Sequence, residues 1–232
     1  MKDFIKRVKY FISPCEYYVF GDSHTAIFHH LNNLQGKKIF HVTRVDGATA
    51  LGMVNPNSKT NALPAFMKII SLLPKKSKLI FLLGEVDAGF LLWHRSQQFS
   101  TNVHAEVNKS IENYLLFLKK LQTAGFSDII VLSPSPPCVL DEFKEKQKIE
   151  LRRNIAAGIN ERTHLAIEYN NLLKNKVEHA KIVFVDLYDS LIDENTGIIK
   201  SKYLNNDRTE HHLDSSAFGN LIFERLKRNK VK

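Results

Sequence analysis

The stretch Val19-Phe20-Gly21-Asp22-Ser23-His24 ends an apolar run and sets an acid, a hydroxyl and an imidazole side by side after a glycine. A serine where a strand stops and a helix starts meets free backbone N–H groups and the positive end of the helix dipole, surroundings that favour an acyl-transfer nucleophile. The same position suits a helix cap, because Asp and Ser are both good N-cap residues. A serine nucleophile also needs a base, since the free hydroxyl is weak at neutral pH. Residues 205–216 supply one: His211 and His212 stand in a polar loop before the last helical segment, with Asp207, Glu210 and Asp214 close by. A carboxylate beside an imidazole fixes its tautomer and stabilises the imidazolium as it forms.

These residues need a scaffold that brings positions 23 and 212 together. Short, nearly all-apolar runs at 17–21, 37–45, 78–84, 128–135 and 181–188 read as strands buried on both faces, hence parallel. Helix-period segments lie between them at 23–33, 62–73, 106–124, 142–178 and 215–228, with Gly158 a break in the fourth. Helices on both faces of a parallel five-stranded sheet give a three-layer α/β/α sandwich of flavodoxin-like order. Ligands bind such sheets outside the carboxyl ends of the strands. The informative residues are therefore 21–24, 44–49, 84–87, 133–137 and the loop 205–216. The charged stretch 141–175 reads as solvated helix without chemistry.

Taken together, these pieces resemble the SGNH or GDSL family of serine hydrolases. Phe20-Gly21-Asp22-Ser23-His24 is similar to that family's first block, which makes Ser23 the nucleophile and Asp22 its neighbour in support. Gly47, in Arg44 to Gly52, falls in the place of the glycine whose N–H joins that of Ser23 in the oxyanion hole. Gly84-Glu85-Val86-Asp87 occupies the third block, normally Gly-x-Asn-Asp, and Asp207 to Asn220 looks like the last block. The resemblance implies His212 as base and Asp207 as its orienter, with Glu210 and His211 as alternatives and Asp87 in support. Two departures stand out. Val86 has no donor where the family has asparagine, which leaves a substitute such as Arg44 or Asn55, and Thr209 stands where the family's aspartate would precede His212.

At 232 residues with 44% hydrophobic and 25% charged residues, the chain reads as a single domain over 1–232. Cys15 and Cys138 cannot build a disulfide framework, and residues 1–14 lack a secretion signal's apolar core, so a cytoplasmic protein is expected. Residues 1–14 place Phe4, Ile5, Val8, Phe11 and Ile12 on one helical face among basic residues. This basic amphipathic helix would pack on its own domain, the commoner use of an apolar stripe, or make peripheral membrane contact. No metal site is expected, because no histidine pair has ligand spacing, and no glycine-rich nucleotide-binding signature is present.

The expected function is acyl transfer on carbohydrate O-acetyl groups of a cell-surface glycan or its precursor. Water as acceptor makes an esterase that needs no cofactor, and a sugar hydroxyl makes an O-acyltransferase with acetyl-CoA as donor. The formal charge of +9 suits anionic partners, an anionic glycan included, while no helix-turn-helix or stacking signature points to nucleic acid. The alternative is a non-catalytic or weakly active glycan-binding module, for which Val86 speaks. Trp93-His94-Arg95 offers rings and a cation for the substrate mouth, or a helix partly buried by its tryptophan.

Overall fold

Tyr17–Gly21 (β1), Phe40–Arg44 (β2), Leu79–Leu82 (β3), Ile129–Leu132 (β4) and Val183–Val185 (β5) form one sheet in the computed structural model, which describes residues 16–229. All pairings are parallel and the order is β2-β1-β3-β4-β5, the flavodoxin-like order expected. The strand order reverses between β1 and β3, so a crevice is expected where these two end. The N-terminal amphipathic stretch 1–14 lies outside the described residues.

Alternation along the strands explains the two cores. Tyr18, Phe20, Leu79 and Phe81 face one side, where Ala62–Ile70 (α2), Val103–Thr123 (α4) and Ile159–His179 (α6) pack. Tyr17, Val19, Ile80 and Leu82 face the other, against Ile27–Gln35 (α1) and Ser215–Arg228 (α8). A strand apolar at successive positions buries both faces, and three layers follow.

One expectation is corrected. The predicted helix over 142–178 is three pieces: a 3-10 helix at Asp141–Lys146, a single turn at Glu150–Arg153 (α5), and α6. Gly158 is the start of α6, where its N–H donates to Glu161 Oε2 (2.9 Å) and Ile159 N donates to Asp141 Oδ2 (2.9 Å). The segment after β3 holds a π-helical turn at Asp87–Leu91 that runs into Leu92–Phe99 (α3), too short for its period to show in the sequence. A last short helix, Tyr188–Leu191 (α7), follows β5. Among the described residues, no helix is long and apolar enough to cross a membrane.

Candidate active site

Gly21 ends β1 where any side chain would fail: a Cβ there would sit 2.1 Å from the carbonyl oxygen of Leu82 on β3. The chain then turns into a 3-10 helix at Ser23–Ala26 that continues as α1. Asp22 caps this start. Its Oδ1 accepts from His24 N (2.8 Å), and its backbone oxygen accepts from Thr25 Oγ1 (2.7 Å). The capping task thus falls to Asp22, and the Ser23 hydroxyl is left for another partner. That partner is His212, whose Nε2 lies 2.8 Å from Ser23 Oγ. On the far side of the ring, His212 Nδ1 lies 2.7 Å from Glu210 Oε1. The network fixes the tautomer, with Nδ1–H donating to the carboxylate and Nε2 accepting from the hydroxyl.

Asp207 does not take the orienting place. It is exposed, and its Oδ1 is used within its own turn by Thr209 N (3.0 Å) and Thr209 Oγ1 (2.7 Å). Glu210 fills the place because the turn it closes brings its Oε1 under both following residues, with His211 N at 2.9 Å and His212 N at 3.3 Å. The His211 ring lies 4.0 Å from the His212 ring at a tilt of 40°, and the His211 backbone oxygen accepts from Cys138 Sγ (3.1 Å) and His24 Nε2 (3.3 Å). Burial lowers the His212 pKa, the charge of His24 lowers it further, and Glu210 offsets only part of this. Burial disfavours charge on Glu210, but the bond from His212 holds its carboxyl below the usual range. A neutral imidazole over an ionised carboxylate is the state a general base requires.

Two backbone N–H groups without partners among the described residues lie in the segments that follow β1 and β2. Ser23 N opens a helix and has no partner in it. Gly47 follows β2 in a turn with φ +72°, a conformation glycine adopts freely, and its N–H makes no hydrogen bond among the described residues. The loop after Gly47 is pinned from below by Asp87: Oδ2 accepts from Ala50 N (2.8 Å), and Oδ1 from Leu51 N (2.9 Å) and Ser110 Oγ (2.7 Å). Burial pushes the Asp87 carboxyl up to about 6 against those bonds. Val86 is buried with Phe90, Ile155 and Ala157 and offers no side-chain donor.

A pocket of about 280 Å³ opens at Ser23 and His212, with Arg44, Asn205, Glu210 and Ser215 among its walls. Arg44 pairs with Asp46, and Asn55 lies outside this pocket on the exposed surface. Asn205 belongs to the informative loop 205–216, but no pattern singled it out. Its Oδ1 accepts from Asp207 N (3.0 Å), while its amide nitrogen makes no hydrogen bond among the described residues. Trp93 lines a different pocket, with Val103, His104 and His164, and Arg95 is paired with Glu106 (2.7 Å).

Beneath the pocket lies a layer of buried charge. His24 Nδ1 stands 3.0 Å from Asp22 Oδ1 and 3.8 Å from Glu85 Oε2, and Arg152 grips Glu85 through two bonds of 2.7 Å. Burial alone would discharge His24, but Asp22 and then Glu85 outweigh it and raise its pKa. Burial likewise opposes charge on Glu85, yet Arg152 and His24 bring its carboxyl down to about 2. Arg152 comes from α5, inside the stretch that reads as solvated helix, and no sequence spacing announces it. Asp22, His24 and Glu85, and separately Glu210, His211 and His212, bring donor atoms close enough to share a metal ion. Each group is already engaged, the first with Arg152 and the second with Ser23.

Solved structures share this fold. A Streptococcus pneumonia protein named for platelet activating factor aligns with 98% of this chain and 90% of its own at 18% identity and a TM-score of 0.60. A GDSL-like lipase from Bacteroides thetaiotaomicron aligns with 98% and 97% at 14% identity and a TM-score of 0.60. An acetyl xylan esterase aligns with 92% and 98% at 14% identity and a TM-score of 0.53. No family model and no curated protein matches the chain. The three-layer sandwich is therefore the fold of the GDSL-like lipases and esterases.

Proposed function

We propose that the chain is a serine acyl-transfer enzyme of the SGNH type that acts on O-acetyl groups of a carbohydrate. The observation that carries this reading is the line from Ser23 Oγ to His212 Nε2 (2.8 Å) and from His212 Nδ1 to Glu210 (2.7 Å). In it, His212 takes the proton of Ser23 as Oγ attacks the ester carbonyl carbon. The carbonyl oxygen becomes an anion held by the N–H groups of Ser23 and Gly47, with Asn205 or Arg44 supplying the side-chain donor that Val86 lacks. The tetrahedral intermediate collapses, the C–O bond to the sugar breaks, and His212 returns the proton to the departing hydroxyl. Acceptor attack on the acyl-serine repeats the sequence: His212 takes the acceptor's proton and hands it to Ser23. Glu210 keeps the imidazolium in place and stays ionised throughout.

Acetyl as the acyl group is supported by size and chemistry. A pocket of about 280 Å³ walled by Arg44, Asn205 and Ser215 suits a small acyl group and a hydroxylated or anionic leaving group better than a long apolar chain. The shared fold with an acetyl xylan esterase points the same way. Water as acceptor gives an acetylesterase with no cofactor, whereas acetyl-CoA as donor and a sugar hydroxyl as acceptor give an O-acetyltransferase. Incubation with acetylated glycans, and separately with acetyl-CoA plus deacetylated glycans, followed by mass spectrometry of acetate and sugar, separates the two. Labelling of Ser23 by a fluorophosphonate is expected in both. Labelling of Ser23→Ala at the wild-type level would overturn the nucleophile itself.

A further inference from the structure

The two ends of the sheet differ in how their charges are arranged. At the carboxyl ends of the strands acids and cations are paired, Asp22 with His24, Asp46 with Arg44, Glu85 with Arg152 and Asp186 with Lys174. The other end is basic. Lys37 and Lys38 lead into β2, Lys75, Lys76 and Lys78 lead into β3, and Lys181 leads into β5, while Glu16 and Asp128 are the acids in these approaches. Lys227 and Arg228, at the end of α8, reach the same edge, where Lys227 shares a pocket with Tyr17, Lys37 and Phe40.

Contacts between the loops make this edge one continuous face. Glu16 N and Tyr17 N donate to Ile39 O (2.8 and 3.0 Å), and Lys78 Nζ lies 5.3 Å from the Tyr17 ring. Lys75 Nζ lies 4.3 Å from the Phe126 ring, and Gln122 Nε2 donates to Ala180 O (3.1 Å). Helix dipoles account for cations in the last turn of a helix. They do not account for lysines in the loops beyond it.

We infer that this basic pole seats the protein on an anionic phospholipid surface, with the Ser23 pocket turned away at the opposite ends of the same strands. Two features favour lipid over nucleic acid. The cations are lysines except for Arg228, and lysine is the hydrated point charge that serves diffuse attraction to headgroups, whereas arginine dominates base and phosphate recognition. Leu34 and Val183, large exposed apolar residues, border the same edge.

The test is sedimentation with vesicles of phosphatidylcholine alone and of phosphatidylcholine mixed with phosphatidylserine, at low and at physiological salt. Binding is expected to the mixed vesicles only, to weaken as salt screens it, and to fall at least about tenfold when Lys37, Lys75, Lys76 and Lys181 are all changed to Glu. The melting temperature of that variant checks that the fold survives. A variant that folds and binds as well as the wild type would overturn the inference, as would no binding to the mixed vesicles. Tighter retention by duplex DNA or RNA than by the mixed vesicles would transfer the pole to nucleic acid and equally overturn it. None of these readouts uses Ser23, so the result stands apart from the enzymatic reading.

Discussion

Glu210 Oε1 stands 2.7 Å from His212 Nδ1, two residues along the same loop, so the acid and the base of the site travel together. The loop itself is tied to distant elements through the carbonyl of His211, which accepts from Cys138 Sγ at 3.1 Å and His24 Nε2 at 3.3 Å. The position of His212 over Ser23 thus depends on groups from the first, middle and last parts of the chain.

Because Glu210 and not Asp207 touches the imidazole, the two acids should respond differently to neutralisation. Glu210→Ala is expected to lower kcat on an acetyl ester by about 10²- to 10⁴-fold, the range for losing the orienter of a serine–histidine pair. Asp207→Asn should leave kcat within about threefold of wild type, since its side-chain bonds go to Thr209 alone and its backbone bonds to Asn205 and Glu210 survive the change. Steady-state kinetics on both variants decide the matter, and equal losses would return the orienting role to Asp207.

His24 should set the pH at which the base fails. The His212 pKa is lowered by burial first and by the neighbouring His24 charge second, and a general base acts deprotonated. Activity is therefore expected to hold as the pH falls through about 6.5, the ordinary histidine value, and to be lost only below it. His24→Gln removes the cation, so the midpoint of the acid limb of kcat/KM should move upward. An unmoved midpoint would show that burial alone sets it.

How much of this was legible in the sequence follows from range. The strands announced themselves because residues such as Val19, Phe20, Ile80 and Phe81 are buried on both faces, and such strands leave unbroken apolar runs. Ser23 and His212 were legible because each sits in a local pattern at a strand end or before a helix. The orienter was legible only as a choice between Asp207 and Glu210, because the motif points upstream to Asp207, whereas a tight turn folds Glu210 under the imidazole. Arg152 carried no signal, and Asn205 stood in the informative loop 205–216 with no pattern that set it apart. Arg152 serves through Glu85, 67 positions away, and separation of that kind has no period to read.

Asn205 offers the side-chain donor closest in kind to the asparagine that Val86 replaces. Its Oδ1 is anchored by Asp207 N (3.0 Å), and it lines the pocket that holds Ser23. Asn205→Ala should lower kcat by about 10²- to 10³-fold with little change in KM, as for a donor felt in the transition state. If Arg44→Ala produces that loss and Asn205→Ala does not, Arg44 is the donor.

The buried pair of Glu85 and Arg152 makes the last prediction, about stability. Two bonds of 2.7 Å join the groups, and both are almost fully buried. Arg152→Ala would strand the Glu85 carboxylate beside the carboxylate of Asp22 with only His24 to balance both, and is expected to destabilise by about 3–5 kcal/mol. Replacing the pair together, Glu85→Leu with Arg152→Met, removes the charge and its partner at once and should cost much less. The pH dependence has a definite sign. The Glu85 carboxyl falls from 4.5 to about 2 on folding, so the fold prefers the ionised form and gains most where the unfolded chain is also ionised. Stability from this pair is complete above about pH 4.5 and is lost as the pH falls toward 2. Asp87 acts in the opposite sense, because burial raises its carboxyl from 3.8 to about 6, and its contribution declines as the pH rises through that interval. Thermal melts from pH 7 downward should therefore show wild type losing stability below about pH 4.5 more steeply than the double variant. Parallel curves for the two proteins would mean that acid unfolding is governed by other carboxylates.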